Sequence, residues 1–154
     1  MQPFWSAFEA ATGLDATARF YEAFHFDDNE RSANALALLV LEGTKRATAG
    51  LLWAFEAESK ALPAPGQLSV VTDWDGLPLC IIETRLVEVV PYDEVSEAFA
   101  WIEGEGDRTL RSWRENHWAY FGRECERLRK ALDVRMPVVC EQFEAIYPLA
   151  GTSR

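Results

Sequence analysis

A lysine and a threonine three residues apart, Lys45 and Thr48, lie in the run Glu42-Gly43-Thr44-Lys45-Arg46-Ala47-Thr48, directly after an apolar helical stretch. At that spacing both side chains can point into one pocket, with the ammonium beside the hydroxyl it would activate as a nucleophile. Arg46 adds a guanidinium to the same turn. Gly43 reads as the residue past the helix end, where a positive φ costs least. The competing reading is a helix cap followed by a solvated lysine, because G-x-K alone is a weak pattern.

The second stretch with chemistry in it spans 103–117. Glu103, Glu105 and Asp107 alternate with Gly104 and Gly106, so the backbone can bend and the carboxylates can converge. In the plain reading, Asp107 or Thr109 caps the helix that follows. That helix places Trp113, Arg114 and His117 on nearby faces, and an aromatic plane, a guanidinium and an imidazole together suit a base with its ribose or phosphate. The alternative is that Trp113 and His117 form a helix face packed on a sheet. His25 stands between two phenylalanines and reads as structural.

Other chemistries find little support. The two histidines, at 25 and 117, give no helical pairing, and neither HxxE nor HExxH spacing occurs, so no metal is expected. There is no GxGxxG, no GxxxxGK[ST] and no GxSxG, so no cofactor is expected and no nucleophile elbow is present.

The elements that must carry these residues can be read from periodicity and breakers. The pattern predicts a short amphipathic helix over 3–12, an ambiguous stretch over 15–31 with a turn at Asp27-Asp28-Asn29, and a helix over about 31–42. A further helix is expected over 51–59. Pro63-Ala64-Pro65-Gly66 is the clearest break, and the pattern after it is β. A strand over 67–72, a hairpin turn at Asp73-Trp74-Asp75-Gly76 and a long strand over 79–90 are expected. A helix over 93–103, the glycine-acidic loop, a helix from Thr109 and a last strand over 137–147 complete the chain. This order favours an α+β domain with a small, mostly antiparallel sheet or barrel.

Composition bounds the function. A chain of 154 residues, 49% hydrophobic and 26% charged, suits one packed domain. Six tryptophans and nine phenylalanines can supply both a core and a pocket that stacks planar ligands. The net charge of −10 argues against a protein that coats extended duplex DNA. Residues 108–135 are locally basic, so a basic face for a small anionic or nucleotide-like ligand is one expectation, and a solvated face of mixed charges is the other. Cys80, Cys125 and Cys140 are odd in number and without CxxC spacing, which fits reduced thiols and a cytoplasmic location. No signal peptide and no membrane span are evident.

Taken in order, these motifs resemble the ASCH domain family, closest to its larger bacterial members. The resemblance runs from Phe4-Trp5 through the Gly43-to-Thr48 turn, Leu51-Leu52-Trp53, Asp73-Trp74-Asp75-Gly76 and Cys80-Ile81-Ile82-Glu83-Thr84. It continues through Glu103-Gly104-Glu105-Gly106-Asp107, Leu110 with Trp113-Arg114 and His117, and Phe143. It implies a PUA-like β-barrel with flanking helices, formed as a single domain over 1–154 with an N-terminal helical section, 1–31, packed on it.

The resemblance also implies RNA-related ligands, with a nucleoside or short single-stranded RNA as partner. Some family members look like amidohydrolases that remove an acyl group from the exocyclic amine of cytidine, and others like ribonucleases. By position in the turn, Lys45 and Thr48 match the amidohydrolase lysine and threonine, and Glu105, with Glu103 as the alternative, matches the glutamate. On this scheme Lys45 has a lowered pKa and takes the proton from Thr48, Trp113 stacks the base, and Arg114 and Thr109 hold ribose or phosphate oxygens. A ribonuclease would use Lys45 to stabilise the phosphorane and Glu105 or His117 to move the 2′-OH proton. A binding module without turnover is the third reading. Thr109 stands where the family more often has serine, and the chain is longer than the compact amidohydrolases.

Overall fold

The computed structural model describes residues 1–148, so the last six residues of the expected domain lie outside the described part. Helix α1 (Gln2–Thr12) buries Trp5 and Phe8, and Gly13 ends it in the left-handed conformation. A 3₁₀ turn over Thr17–Arg19 leads into strand β1 (Phe20–Phe24). The expected helical section over 1–31 therefore contains a strand, which pairs parallel with β3. The aromatic run Phe20-Tyr21-Glu22-Ala23-Phe24 has strand propensity but no turn signals at its ends, and pairing with β3 decides its conformation.

Helix α2 (Glu30–Leu41) starts at Asn29, whose side chain accepts from the Ser32 amide at 2.9 Å. Strand β2 (Ala47–Leu51) and the short helix α3 (Leu52–Ala57) follow, where a single helix over 51–59 was expected. Strands β3 (Leu68–Thr72) and β4 (Pro78–Pro91) form the expected antiparallel hairpin. Helices α4 (Glu97–Glu103) and α5 (Leu110–Leu128) flank the acidic loop, and β5 (Pro137–Tyr147) closes the sequence of elements.

The five strands form one sheet in the order β1-β3-β4-β5-β2, antiparallel except for the β1–β3 pair. This is the expected mixed α+β fold with flanking helices. Among the described residues the sheet is not closed into a barrel, because β1 and β2 remain its edges. The core divides into three clusters. The largest packs α4 and α5 against β2 and β5 through Trp113, Phe121, Phe99, Leu51 and Val138. Two more sit under α2 and α1, around Val40 with Phe143 and around Phe8 with Leu68. The first cluster fixes α5 relative to β2 and β5, and the functional cleft lies between these elements.

Candidate functional site

The end of α2 delivers Lys45 into the interior. Gly43 takes a φ of +83°, and the amides of Thr44 and Lys45 both donate to the Leu39 carbonyl at 3.0 Å, folding the chain back over the helix end. Arg46 then clamps the segment through its backbone: its amide donates to Ile102 O, and its carbonyl accepts from the Phe143 amide, each at 2.9 Å. Gly104 permits the closeness of this docking. Its φ is +74°, and a Cβ there would meet the Thr44 carbonyl oxygen at 2.4 Å. The C-terminus of α4 therefore lies directly on the turn, and Glu103 and Glu105 reach Lys45.

Lys45 is 1% exposed, so the solvated-lysine reading does not hold. Its ammonium donates to Glu105 Oε2 at 2.6 Å, to Ala47 O at 2.7 Å and to Glu103 Oε2 at 3.3 Å. Glu103, also 1% exposed, accepts further hydrogen bonds from the Trp113 indole and from His117 Nε2 at 3.3 Å. His117 Nδ1 faces the Trp113 carbonyl at 2.8 Å. Both imidazole nitrogens thus face oxygen acceptors, an arrangement satisfied only when both carry protons.

Two cations, Lys45 and His117, meet two carboxylates in this network, and their charges balance when all four groups are ionised. Burial pushes the Lys45 pKa down, but Glu103 and Glu105 outweigh burial and the net shift is upward. The expected lowering is therefore reversed: two carboxylates face the ammonium, while Arg46 is exposed. His117 follows the same logic, with burial opposing and Glu103 prevailing, so its pKa is raised. Burial also works against ionised Glu103, yet His117 and Lys45 hold its carboxyl far below the usual range. Glu105 goes the other way. Burial and the nearby Glu103 charge raise it despite Lys45.

Beside this network lies a cavity of about 560 Å³. The expected residues Thr48, Glu103, Glu105 and His117 line it. No hydrogen bond joins Lys45 to the Thr48 hydroxyl among the described residues, and the ammonium protons point to the oxygens named above. Sequence reasoning missed Glu22, Asn116, Tyr120, Arg123 and Glu141, and took His25 as structural, although all six line the cavity. The spacing Asn116-Tyr120-Arg123 is that of one helix face and was the available signal for three of them.

The remaining expected residues are placed elsewhere. Trp113 is 3% exposed, and one face is covered by the His117 ring at 4.1 Å and 13°, so it is a core side chain and no platform for a base. The packed-face alternative is the observed one. Thr109 is the N-cap of α5, accepting from the Ser112 amide at 3.1 Å, and Asp107 in turn accepts from the Thr109 hydroxyl at 2.6 Å. Arg46 and Arg114 are exposed and line no part of the cavity.

The expected basic face is also dispersed. Arg111, Arg123, Arg127 and Arg135 pair with Glu115, Asp28, Glu124 and Asp93, respectively, and Arg123 is the segment's one arginine or lysine in the cavity lining. Glu103, Glu105 and His117 each offer a donor atom within 4.8 Å of the others, close enough to hold a cation. The Lys45 ammonium already lies among the carboxylates and supplies positive charge there. Among the described residues no helix is long and apolar enough to cross a membrane, and the three cysteines are free and buried.

Comparisons with known proteins agree with this architecture. The sequence profile for the ASCH domain matches residues 22–147. An ASCH domain from Lactobacillus crispatus JV V101, solved at high resolution, is 37% identical with a TM-score of 0.85, covering 94% of this chain and 92% of its own. Protein EF3133 from Enterococcus faecalis V583 is 34% identical with a TM-score of 0.86, covering 94% of this chain and 86% of its own. Hypothetical protein PH0355, at 14% identity and a TM-score of 0.53, shares the fold alone. No curated protein matches the chain.

Proposed function

The chain belongs to the ASCH domain family, and on that premise we propose that its cavity binds a nucleoside and hydrolyses the acylated exocyclic amine of a cytidine-type substrate through Glu105, Thr48 and Lys45. The ASCH/PUA-like fold is generally an RNA-binding type of domain, which sets the ligand class. The cavity volume of about 560 Å³ lies within the range of small-molecule sites.

The observation that carries the reading is the Glu105 carboxyl. It stands at the cavity wall, bonded to the Lys45 ammonium at 2.6 Å, with its pKa raised above the ordinary carboxylate value by burial and Glu103. A carboxyl displaced in that direction accepts a proton more readily than an ordinary carboxylate and can return it. In the first step the Thr48 hydroxyl attacks the acyl carbonyl and its proton passes to Glu105. The C–N bond breaks as Glu105 returns that proton to the departing amine. Water then cleaves the threonyl ester by the same exchange, releasing the carboxylic acid and restoring Thr48. Lys45 stays charged throughout, holding Glu105 in place and limiting the rise of its pKa.

Single-stranded RNA is the less favoured occupant. The cavity lining holds five carboxylates, Glu22, Asp27, Glu103, Glu105 and Glu141, against two cations, His117 and Arg123, with His117 facing Glu103 and Arg123 paired with Asp28. Phosphates would be repelled there.

The test is release of cytidine from N4-acetylcytidine by the purified protein. Glu105→Gln is expected to lower kcat by about 10²-fold or more. A Thr48→Val variant that keeps full activity would replace the threonyl ester with direct attack by water. Cleavage of a labelled single strand that depends on Glu105 would select the ribonuclease. Cytidine binding without turnover would select the binding module.

A further inference from the structure

We propose that Glu141 is the residue that reads the ligand, accepting a hydrogen bond from an N–H or O–H donor of an uncharged nucleoside beside Thr48 and selecting against its phosphorylated form. The inference rests on the proposed nucleoside cavity and extends it to a residue on the opposite wall.

Strand register places this carboxylate. Thr48 on β2 and Glu141 on β5 are direct cross-strand partners, as are Gly50 and Val139. Side chains of directly opposed residues lie on the same face of a sheet, roughly 5 Å apart at Cβ. All four residues line the cavity. Gly50 keeps this wall low: the Phe55 ring already lies 3.3 Å from where a Cβ would stand. The sheet wall is thus a shallow floor with two polar side chains side by side, Thr48 and Glu141.

The hydrogen bonding of Glu141 is half used. Its Oε2 accepts from the Thr84 hydroxyl at 2.6 Å, which fixes the carboxylate plane. Among the described residues Oε1 has no hydrogen-bond partner and no buried side-chain oxygen is left unsatisfied, so Oε1 is accessible on a side chain that lines the cavity. Glu105, by contrast, is held by Lys45, and Glu103 by three donors. An acceptor fixed by one hydroxyl, with its second oxygen facing a ligand-sized space, is built to take a donor. An ionised carboxylate at that position repels a phosphate, while Glu22 in the same lining is paired with Lys60 at 2.6 Å and adds little.

The experiment compares wild type with Glu141→Gln, which keeps the shape of the side chain and an acceptor for Thr84. Binding of cytidine and of cytidine 5′-monophosphate is measured by calorimetry, alongside KM and kcat on N4-acetylcytidine. Glu141→Gln is expected to weaken cytidine binding by about tenfold, to raise KM in step, and to leave kcat within about twofold. Wild type should prefer cytidine over its monophosphate, and the variant should narrow that preference. A structural role alone would weaken both ligands equally, and that outcome overturns the proposal. An unchanged cytidine affinity, or a loss confined to kcat, overturns it as well. Cytidine binding without turnover in wild type breaks the hydrolase reading alone, because the affinity ratios still decide Glu141. A wild type that binds neither ligand overturns both.

Discussion

The two walls of the cavity are built on opposite principles. The wall made by α4, its following loop and α5 is a closed electrostatic unit, in which Lys45, Glu103 and His117 are buried and spend their hydrogen bonds on one another, on Glu105, on the Trp113 indole and on the Ala47 and Trp113 carbonyls. The sheet wall, with Thr48 and Glu141, is set by strand register alone and leaves an oxygen facing the space. A saturated network has one low-energy arrangement and resists change, so it suits holding Glu105 in place. A half-satisfied floor is where a ligand can gain contacts. In this molecule the residues most important for stability and those most exposed to the ligand are therefore largely different sets.

The largest expected effect breaks the helical wall. Lys45→Ala leaves buried Glu103 and half-buried Glu105 with His117 as their remaining cation, and loss of one partner from such a cluster costs about 3–5 kcal/mol. Urea unfolding should show that loss, and an inactive Lys45→Ala protein would not by itself identify a catalytic lysine. Removing one carboxylate together with the ammonium restores the balance of charge. The double variant Lys45→Met with Glu105→Gln should accordingly recover much of the stability. Should Lys45→Ala unfold within about 1 kcal/mol of wild type, the description of this wall as a closed unit would be wrong.

A smaller effect follows from the proton on His117. Its pKa is raised from 6.5, burial opposing and Glu103 prevailing. The stability it contributes is fully present below that ordinary value and is lost as pH rises through the raised folded value. Glu103 is depressed from 4.5, so its contribution is present above that value and is lost only as pH falls through the lower folded one. Glu105, raised from 4.5, adds to the decline with rising pH, and Lys45, raised from 10.5, loses its share only under strong alkali. Wild-type stability should therefore decrease as pH is raised above the ordinary imidazole range, and His117→Gln should remove much of that slope. Parallel slopes for the two proteins would mean that His117 is neutral in the fold and the wall carries one cation.

The contrast between the walls also explains what the sequence made legible. The hairpin of β3 and β4 was readable because alternation and Asp73-Trp74-Asp75-Gly76 are local signals. Helices α1, α2 and α5 were readable from apolar spacing with Gly13 after α1, the Asp27-Asp28-Asn29 turn before α2 and a cap at Thr109, and the structure makes Asn29 the cap of α2. Strand β2 was not, because Ala47-Thr48-Ala49-Gly50-Leu51 has weak strand propensity and is a strand through its pairing with β5. Once β2 is missed, the register that sets Glu141 beside Thr48 is missed with it. Lys45, Thr48 and the two glutamates came from the motif and the family resemblance. The charge state of Lys45 could not, because it depends on two carboxylates about sixty residues away in sequence. Trp113 misled for a related reason: its indole was read as a surface for bases when α5 turns it into the core.

The smallest expected effect sharpens the comparison at the cavity mouth. Arg123 donates from Nε to Asp28 Oδ2 at 2.8 Å and from Nη2 to Asp28 Oδ1 at 3.2 Å, tying α5 to the turn before α2. Both side chains are substantially exposed, and exposed ion pairs contribute about 0.2–1 kcal/mol. Arg123→Ala should therefore shift Tm by no more than about 2–4 °C. Its effect on ligands should differ in kind from that of Glu141→Gln. Arg123 is the one arginine in the cavity lining, so its loss should weaken cytidine 5′-monophosphate further while leaving cytidine nearly unchanged. A loss of cytidine affinity as large as that expected for Glu141→Gln would mean that the mouth, rather than the sheet floor, holds the nucleoside.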